Sequence, residues 1–177
     1  VPVGDFAPAL EAGMQEQFAA VEAIAADPAA ATFENTVAAF ERSARTLDRV
    51  MAVYGVHSGC LSDDALQAVE RTMAPRLAAF RDRIVHHEGL FRRIAAVHES
   101  AATVGLSPEQ RRLAWLHFTS LVHAGAKLDA PAKAELSAIN QKLAELHTAF
   151  AQNVLNEEND TALILESETD LDGLPTP

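Results

Sequence analysis

The chain has 177 residues, 49% hydrophobic and 22% charged, with a formal net charge of −11 at pH 7, which suits one soluble domain with a sizeable core. Residues 156–177 hold seven of the 25 acidic residues and no basic one, so the remainder sets 18 acidic against 14 basic side chains and carries only −4. A local acidity without a basic face argues against a nucleic-acid partner, and no apolar run approaches the ~20 residues that cross a bilayer, so no membrane partner is expected either.

Alanine supplies about a fifth of the chain, and Gly and Pro are few and sit at boundaries, a helical composition. In chain order, helices are expected near 5–26, 32–57, 62–87, 88–104, 107–125 and 129–158, an antiparallel all-α bundle of about six. In the second, Phe33, Val37, Phe40, Ala44, Leu47, Met51 and Tyr54 recur at steps of 4 and 3 and should face a core. In the third, Leu66, Val69, Met73, Leu77, Phe80 and Ile84 form a like stripe, which Pro75 should kink or divide. In the sixth, Leu136, Ile139, Leu143, Leu146, Phe150 and Val154 again predict a core-facing stripe, making the second and sixth helices the long central ones.

The boundaries carry signals of their own. Ser107-Pro-Glu-Gln110 reads as N-cap, Pro at N1 and a capping box. Thr32 and Ser62 are expected N-caps, Asp129 precedes the last helix, and Gly59, Gly105 and Gly125 stand where left-handed C′ residues are wanted. Residues 161–166 (Thr-Ala-Leu-Ile-Leu-Glu) read as a β-strand with no second strand to pair with, an arrangement that leaves main-chain groups unmet. The chain is therefore expected to be part of a larger protein, with a helical unit over 1–158 and a strand and acidic tail over 159–177.

Motifs for chemistry are absent. The seven histidines, His57, His86, His87, His98, His117, His123 and His147, never stand three or four apart, so no helix presents a paired-His metal site on adjacent turns. His87-Glu88 and His98-Glu99 open like the zincin motif, but Phe91 and Ala102 stand where its second His belongs. No glycine-rich phosphate loop and no nucleophile elbow occurs. Cys60 is the single cysteine, which rules out an internal disulfide and reads as a buried or half-buried thiol. The arginine groups at 71–83, 92–93 and 111–112 read as solvated helix faces with i,i+4 pairs, and Trp115 and Tyr54 as core residues. No catalytic, cofactor-binding or metal residue is expected in these 177 positions.

One family resemblance runs through the chain. Phe6-Ala-Pro-Ala-Leu-Glu-Ala-Gly-Met14, the run from Thr32-Phe-Glu-Asn-Thr36 to Leu47-Asp-Arg-Val50, and Met73-Ala-Pro-Arg-Leu-Ala-Ala-Phe80 with Gly89-Leu-Phe91 resemble, in order, the start of the peptidyl-dipeptidases and their thimet-oligopeptidase-like relatives. Leu106-Ser-Pro-Glu-Gln110, Ala124-Gly-Ala-Lys-Leu128, Ile139-Asn-Gln-Lys-Leu143, Phe150-Ala-Gln-Asn-Val-Leu155 and Asp170-Leu-Asp-Gly-Leu-Pro175 continue it with consistent spacing. Gly55-Val-His-Ser-Gly-Cys60, His123 and Ala151 depart from the family pattern.

The resemblance implies the amino-terminal helical region of a zinc metallopeptidase acting on short peptides, with the zinc ligands and catalytic residues in a later catalytic domain. It implies a monomeric chain, inactive alone, whose partners are that catalytic domain and, in the whole enzyme, short peptide substrates. Its role would be part of a substrate-channel wall, in the cytoplasm or the periplasm, with the cytoplasm preferred. The rival from another class is a stand-alone helical module that binds a partner helix along a groove.

Overall fold

The first long helix organises the rest because its apolar positions run along one face from end to end. The structure is a computed structural model and describes residues 1–101, 104–161, 167 and 173. A short 3-10 turn, Val3–Asp5, leads into α1, Phe6–Ala26, whose buried Phe6, Leu10, Met14, Val21 and Ile24 keep helical spacing. Beyond it come a π-helical segment Phe33–Ala38, α2 Ala39–Ser43, α3 Arg45–Cys60, α4 Asp64–Val85, α5 Glu88–Ser100, α6 Pro108–His123 and α7 Ala130–Asp160. Among the described residues every regular element is helical.

The amino-terminal half of α1 packs with α3 and α4, where Phe6, Leu10, Met14, Leu47, Tyr54, Leu66 and Met73 form one core cluster. Its carboxy-terminal half packs with the ends of α4, α5 and α6, where Val21, Ile24, Ile84, Leu90, Ile94 and Leu121 form another. Leu90 and Ile94 are fully enclosed, and each such side chain stabilises the fold by roughly 1.5–3 kcal/mol. Val37, Val97 and Ala114 join the π-helical segment to α5 and α6 in a smaller third cluster. Where α1 crosses α3 the backbones nearly touch: a Cβ on Gly13 would stand 3.0 Å from the Cα of Leu47.

The caps follow local chemistry. Thr32 and Asn35 close a reciprocal capping box, and Asn35 Nδ2 also donates to Asp27 Oδ2 at 3.2 Å and to the Ala30 carbonyl at 3.0 Å. Arg93 donates from α5 to the carbonyls of Asp27 and Ala29 at 2.8 and 2.9 Å, so the linker after α1 is held from both sides. Ser107 and Gln110 form the expected box on α6, and Asp129 caps α7. Gly105 and Gly125 take positive φ, at 69° and 97°.

Several expectations are corrected. The predicted helix over 32–57 is broken at Ala44, where the Ser43 hydroxyl takes the Phe40 carbonyl at 2.6 Å and competes with the helical ladder. Within α3, Leu47 and Tyr54 are buried while Met51 is exposed. Pro75 does not divide α4. Asp63, not Ser62, caps that helix, because its carboxylate accepts the Leu66 N–H. Gly59 lies inside α3 rather than after it, and Cys60 is exposed. Trp115 is 40% exposed under the Arg112 guanidinium rather than in the core. Arg76–Glu11 and Arg93–Asp27 are bridges between elements, not pairs within one helix.

The largest departure concerns α7. Its Ile139, Leu143, Leu146, Phe150 and Val154 are exposed, Phe150 at 69%, and Gln152 is its one fully buried residue among those described. The helix lies against α4 with Asn140, His147 and Gln152 in the seam and Leu136 and Leu143 at its rim, so Ile139, Leu146, Phe150 and Val154 look away from the bundle and it is not a central helix. The predicted strand 161–166 lies outside the described residues except for Thr161, which closes α7 with its N–H on the Glu157 carbonyl.

Candidate functional site

Three of the buried polar side chains, Gln67, Asp82 and Gln152, lie along the seam between α4 and α7. Helical spacing on α4 puts Gln67, Glu70 and Arg71 near one end of the face that meets α7, with Asp82 further along. On α7 the matching residues are Asn140, His147 and Gln152. Gln152 sits at the centre of the first group. It accepts from Arg71 Nη1 at 2.7 Å and donates through Nε2 to the Gln67 carbonyl and to Glu70 Oε2, each at 3.0 Å. The other Glu70 oxygen accepts the hydroxyl of Ser58 on α3. Three helices are thus tied through Glu70 and one buried amide, whose acceptor and both donors are satisfied.

Beside this network a cavity of about 340 Å³ is lined by Tyr54, Ser58, Glu70 and His147, with Leu77 and Ala151 as apolar wall. Burial first, and then the negative charge of Glu70, push the Tyr54 phenol up to about 12. Tyr54 is therefore a proton-holding group throughout the neutral range. Further along the seam, Asn140 Nδ2 donates to Asp82 Oδ1 at 2.8 Å, about three turns of α7 before Gln152. His147 also borders a second cavity there, so the two spaces share a wall.

The histidines serve structure and are spread over the molecule. His87 caps α5, its Nδ1 accepting the Leu90 N–H at 3.1 Å, which leaves Nε2 to donate to Glu22 at 2.9 Å. His117 meets Glu41 at 2.5 Å, His57 lies edge-on to Phe6, and His98 stacks on Phe118. His86 Nε2 is buried with no hydrogen-bond partner, and His123 lines the second cavity. Among the described residues, no group of three His, Cys, Asp or Glu could hold a metal ion. The resemblance puts its zinc in a later catalytic domain, and the described residues of this chain supply no donor set of their own for one.

Gln152, Asn140 and Asp82 carried no signal in the sequence that set them apart from solvated helix positions. Asn140 and Gln152 flank the apolar stripe of α7, and Asp82 lies between two arginines.

Comparison with known proteins is consistent across relatives. No family model matches the chain. Dipeptidyl carboxypeptidases of Escherichia coli (strain K12) and of Salmonella typhimurium are each 32% identical to it over 169 residues, covering 96% of this chain and 25% of theirs. The chloroplastic and mitochondrial organellar oligopeptidase A of Arabidopsis thaliana is 25% identical over 134 residues, covering 74% of this chain and 17% of that protein. The chain thus spans about a quarter of the length of the dipeptidyl carboxypeptidases it matches. Over nearly all of its length the chain matches the amino-terminal part of these dipeptidyl carboxypeptidases, and over about three quarters of it that of oligopeptidase A.

Proposed function

We propose that this chain is the amino-terminal helical part of a zinc-dependent peptidyl-dipeptidase or oligopeptidase, where it forms part of the wall of a channel that admits short peptides. The observation that carries this reading is the 32% identity that holds across 96% of the chain. The zinc and the catalytic groups would be supplied by a later catalytic domain of the same polypeptide. The chain's own contribution would be shape: a helical core that holds α7 out as a ledge.

The exposed stripe of α7 supports the same reading, because contiguous apolar surface on a folded unit is the mark of an interaction face. A peptidase parent would be cytoplasmic, where peptide-degrading enzymes meet short peptides, and the fragment alone would be monomeric. The test is an immunoblot of source cells with an antibody to this chain. A band several times larger than 19.0 kDa, co-purifying with chelator-sensitive cleavage of short peptides, is the expected result. A native product of about 19.0 kDa without that activity would overturn the reading in favour of a stand-alone helical interaction module.

A further inference from the structure

α1 and α4 run side by side in the same direction, in a register that three contacts repeat. Glu11 meets Arg76, Phe18 meets Arg83, and Glu22 meets His87 just beyond α4, each pair 65 residues apart. The first two contacts are separated by seven residues on each helix, about 10 Å of axial rise. Between them lies an open groove of about 600 Å³ with Phe80 and Met14 as apolar lining and Gln15, Ala19 and Ala79 at its sides.

The two ends of the groove differ in charge. At one, Arg76 Nη1 holds Glu11 Oε1 at 2.6 Å, which makes a neutral pair. At the other, the guanidinium carbon of Arg83 lies 3.4 Å over the centre of the Phe18 ring, and among the described residues no carboxylate lies within ion-pair reach of it. Glu22, the next acid along α1, is taken by His87 Nε2 at 2.9 Å. Stacking engages the face of a guanidinium and leaves its N–H groups, which fan out in its plane, at the rim. It also holds the charge in place, so less side-chain freedom is lost when an anion arrives. The other α4 arginines are placed differently, since Arg71 bonds to Gln152, Arg76 to Glu11, and Arg81 borders the α4–α7 seam.

A guanidinium matches a carboxylate through paired N–H donors, and one unanswered cation calls for one negative charge. The apolar lining asks for a hydrophobic body, and the Phe80 ring and the Met14 thioether both favour an aromatic one. We propose that the α1–α4 groove binds a small carboxylate with an aromatic body, its oxygens accepting from the Arg83 guanidinium and its ring packing against Phe80. A phenyl ring on a short alkyl chain suits the length of the groove. The site does not depend on the peptidase reading, because both helices belong to this chain.

The test is a titration of the purified, isotope-labelled chain with sodium hydrocinnamate at fixed ionic strength, followed by nuclear magnetic resonance. The Arg83 side-chain Nε–H and the main-chain amides of Ala79 and Phe80 are expected to shift saturably. Hydrocinnamamide, which keeps the ring and loses the charge, is expected to bind about fivefold more weakly, and acetate, which keeps the charge and loses the ring, more weakly still than hydrocinnamate. Arg83→Gln is expected to weaken hydrocinnamate about fivefold, whereas Arg81→Gln, an equal loss of charge on the same helix, leaves it unchanged. Both positions are exposed, so neither substitution threatens the fold. The proposal is overturned if hydrocinnamate gives no saturable shift, if the amide or acetate binds as tightly as hydrocinnamate, or if Arg83→Gln has no more effect than Arg81→Gln.

Discussion

Gln152 of α7 donates its amide to the main-chain carbonyl of Gln67 on α4 at 3.0 Å, and both side chains are buried between the two helices. That bond reaches across the only fully buried point of α7 among the described residues. Replacing Gln152 by Leu would leave a half-buried Glu70 oxygen without its amide donor and remove the cross-helix bond to the Gln67 carbonyl, while the exposed Arg71 returns to water. A loss of roughly 1–3 kcal/mol is expected, and it should be local. Amide exchange in α7 should accelerate while Leu90 and Ile94 in α5 stay protected; uniform acceleration in both helices would contradict the assignment of Gln152 as a seam residue.

Gly125 and Gly105 both follow helices with positive φ, yet their surroundings differ. A Cβ at Gly125 would meet Leu136 Cδ2 at 2.8 Å and Leu128 Cδ1 at 3.0 Å, whereas nothing lies within 4 Å of one at Gly105. Gly105→Ala should therefore cost only the left-handed backbone penalty, about 1–2 kcal/mol. Gly125→Ala carries that penalty and also pushes on the turn that brings α7 back along α4. Chemical denaturation should find Gly125→Ala the less stable of the two, and equal losses would count against the tight packing at Leu136.

Tyr54 is the chain's one tyrosine, so its ionisation can be followed alone by ultraviolet absorbance. Burial, then Glu70, raise its pKa from 10.0 to about 12 in the folded chain. The folded state therefore keeps a proton that the unfolded state releases. This contribution to stability is fully present below pH 10 and is lost as pH rises toward 12. The phenolate signal should appear above pH 10, together with unfolding, and Tyr54→Phe should remove the part of the alkaline stability loss centred in that window. A titration midpoint near 10 in a chain that is still folded would refute the burial of this phenol.

Much of the helical frame could be read from residue order, because its determinants are local. The capping boxes at Thr32–Asn35 and Ser107–Gln110 involve residues three apart, and the apolar spacing of α4 is complete within one element. What could not be read is what each face meets. Periodicity places Ile139, Leu143, Leu146 and Phe150 on one stripe of α7 but is silent on whether that stripe finds a core, and in this fold it does not. The break at Ala44 has no Gly or Pro to announce it. The seam network is equally hidden, since Gln152 and Gln67 are far apart in sequence and meet only when α7 folds back on α4.

Arg93 should behave as a structural arginine despite its place beside Arg92 in a basic pair. Its side chain is 11% exposed, and it holds two carbonyls of the linker after α1 while its Nη2 lies 3.4 Å from Asp27 Oδ2. Arg93→Ala leaves those acceptors without a charged donor and should cost about 2–3 kcal/mol. Arg92→Ala gives the matched comparison on the same turn, expected within about 0.5 kcal/mol of the unsubstituted chain. Equal effects from the two substitutions would show that the linker is held by Asn35 alone.

The outward stripe of α7 gives the most direct check on the architecture, because it predicts an effect opposite in kind to that of an ordinary amphipathic helix. If Leu146 and Phe150 packed on a core, replacing them with charged residues would unfold the chain, since deleting a buried Leu or Phe already costs about 2–5 kcal/mol. They are 53% and 69% exposed, and neither lines a core cluster among the described residues. The pair Leu146→Glu and Phe150→Glu should therefore change the melting temperature of the isolated chain by no more than a surface substitution does, about 0.5 kcal/mol each. Glu at these positions also lies on the face opposite Gln152, so the polar seam should hold. The same pair should raise solubility and, if the stripe is an interaction face of a larger enzyme, lower that enzyme's yield of folded protein. A fall in the isolated chain's melting temperature comparable to that of Leu90→Ala would show instead that α7 turns its apolar side inward in solution.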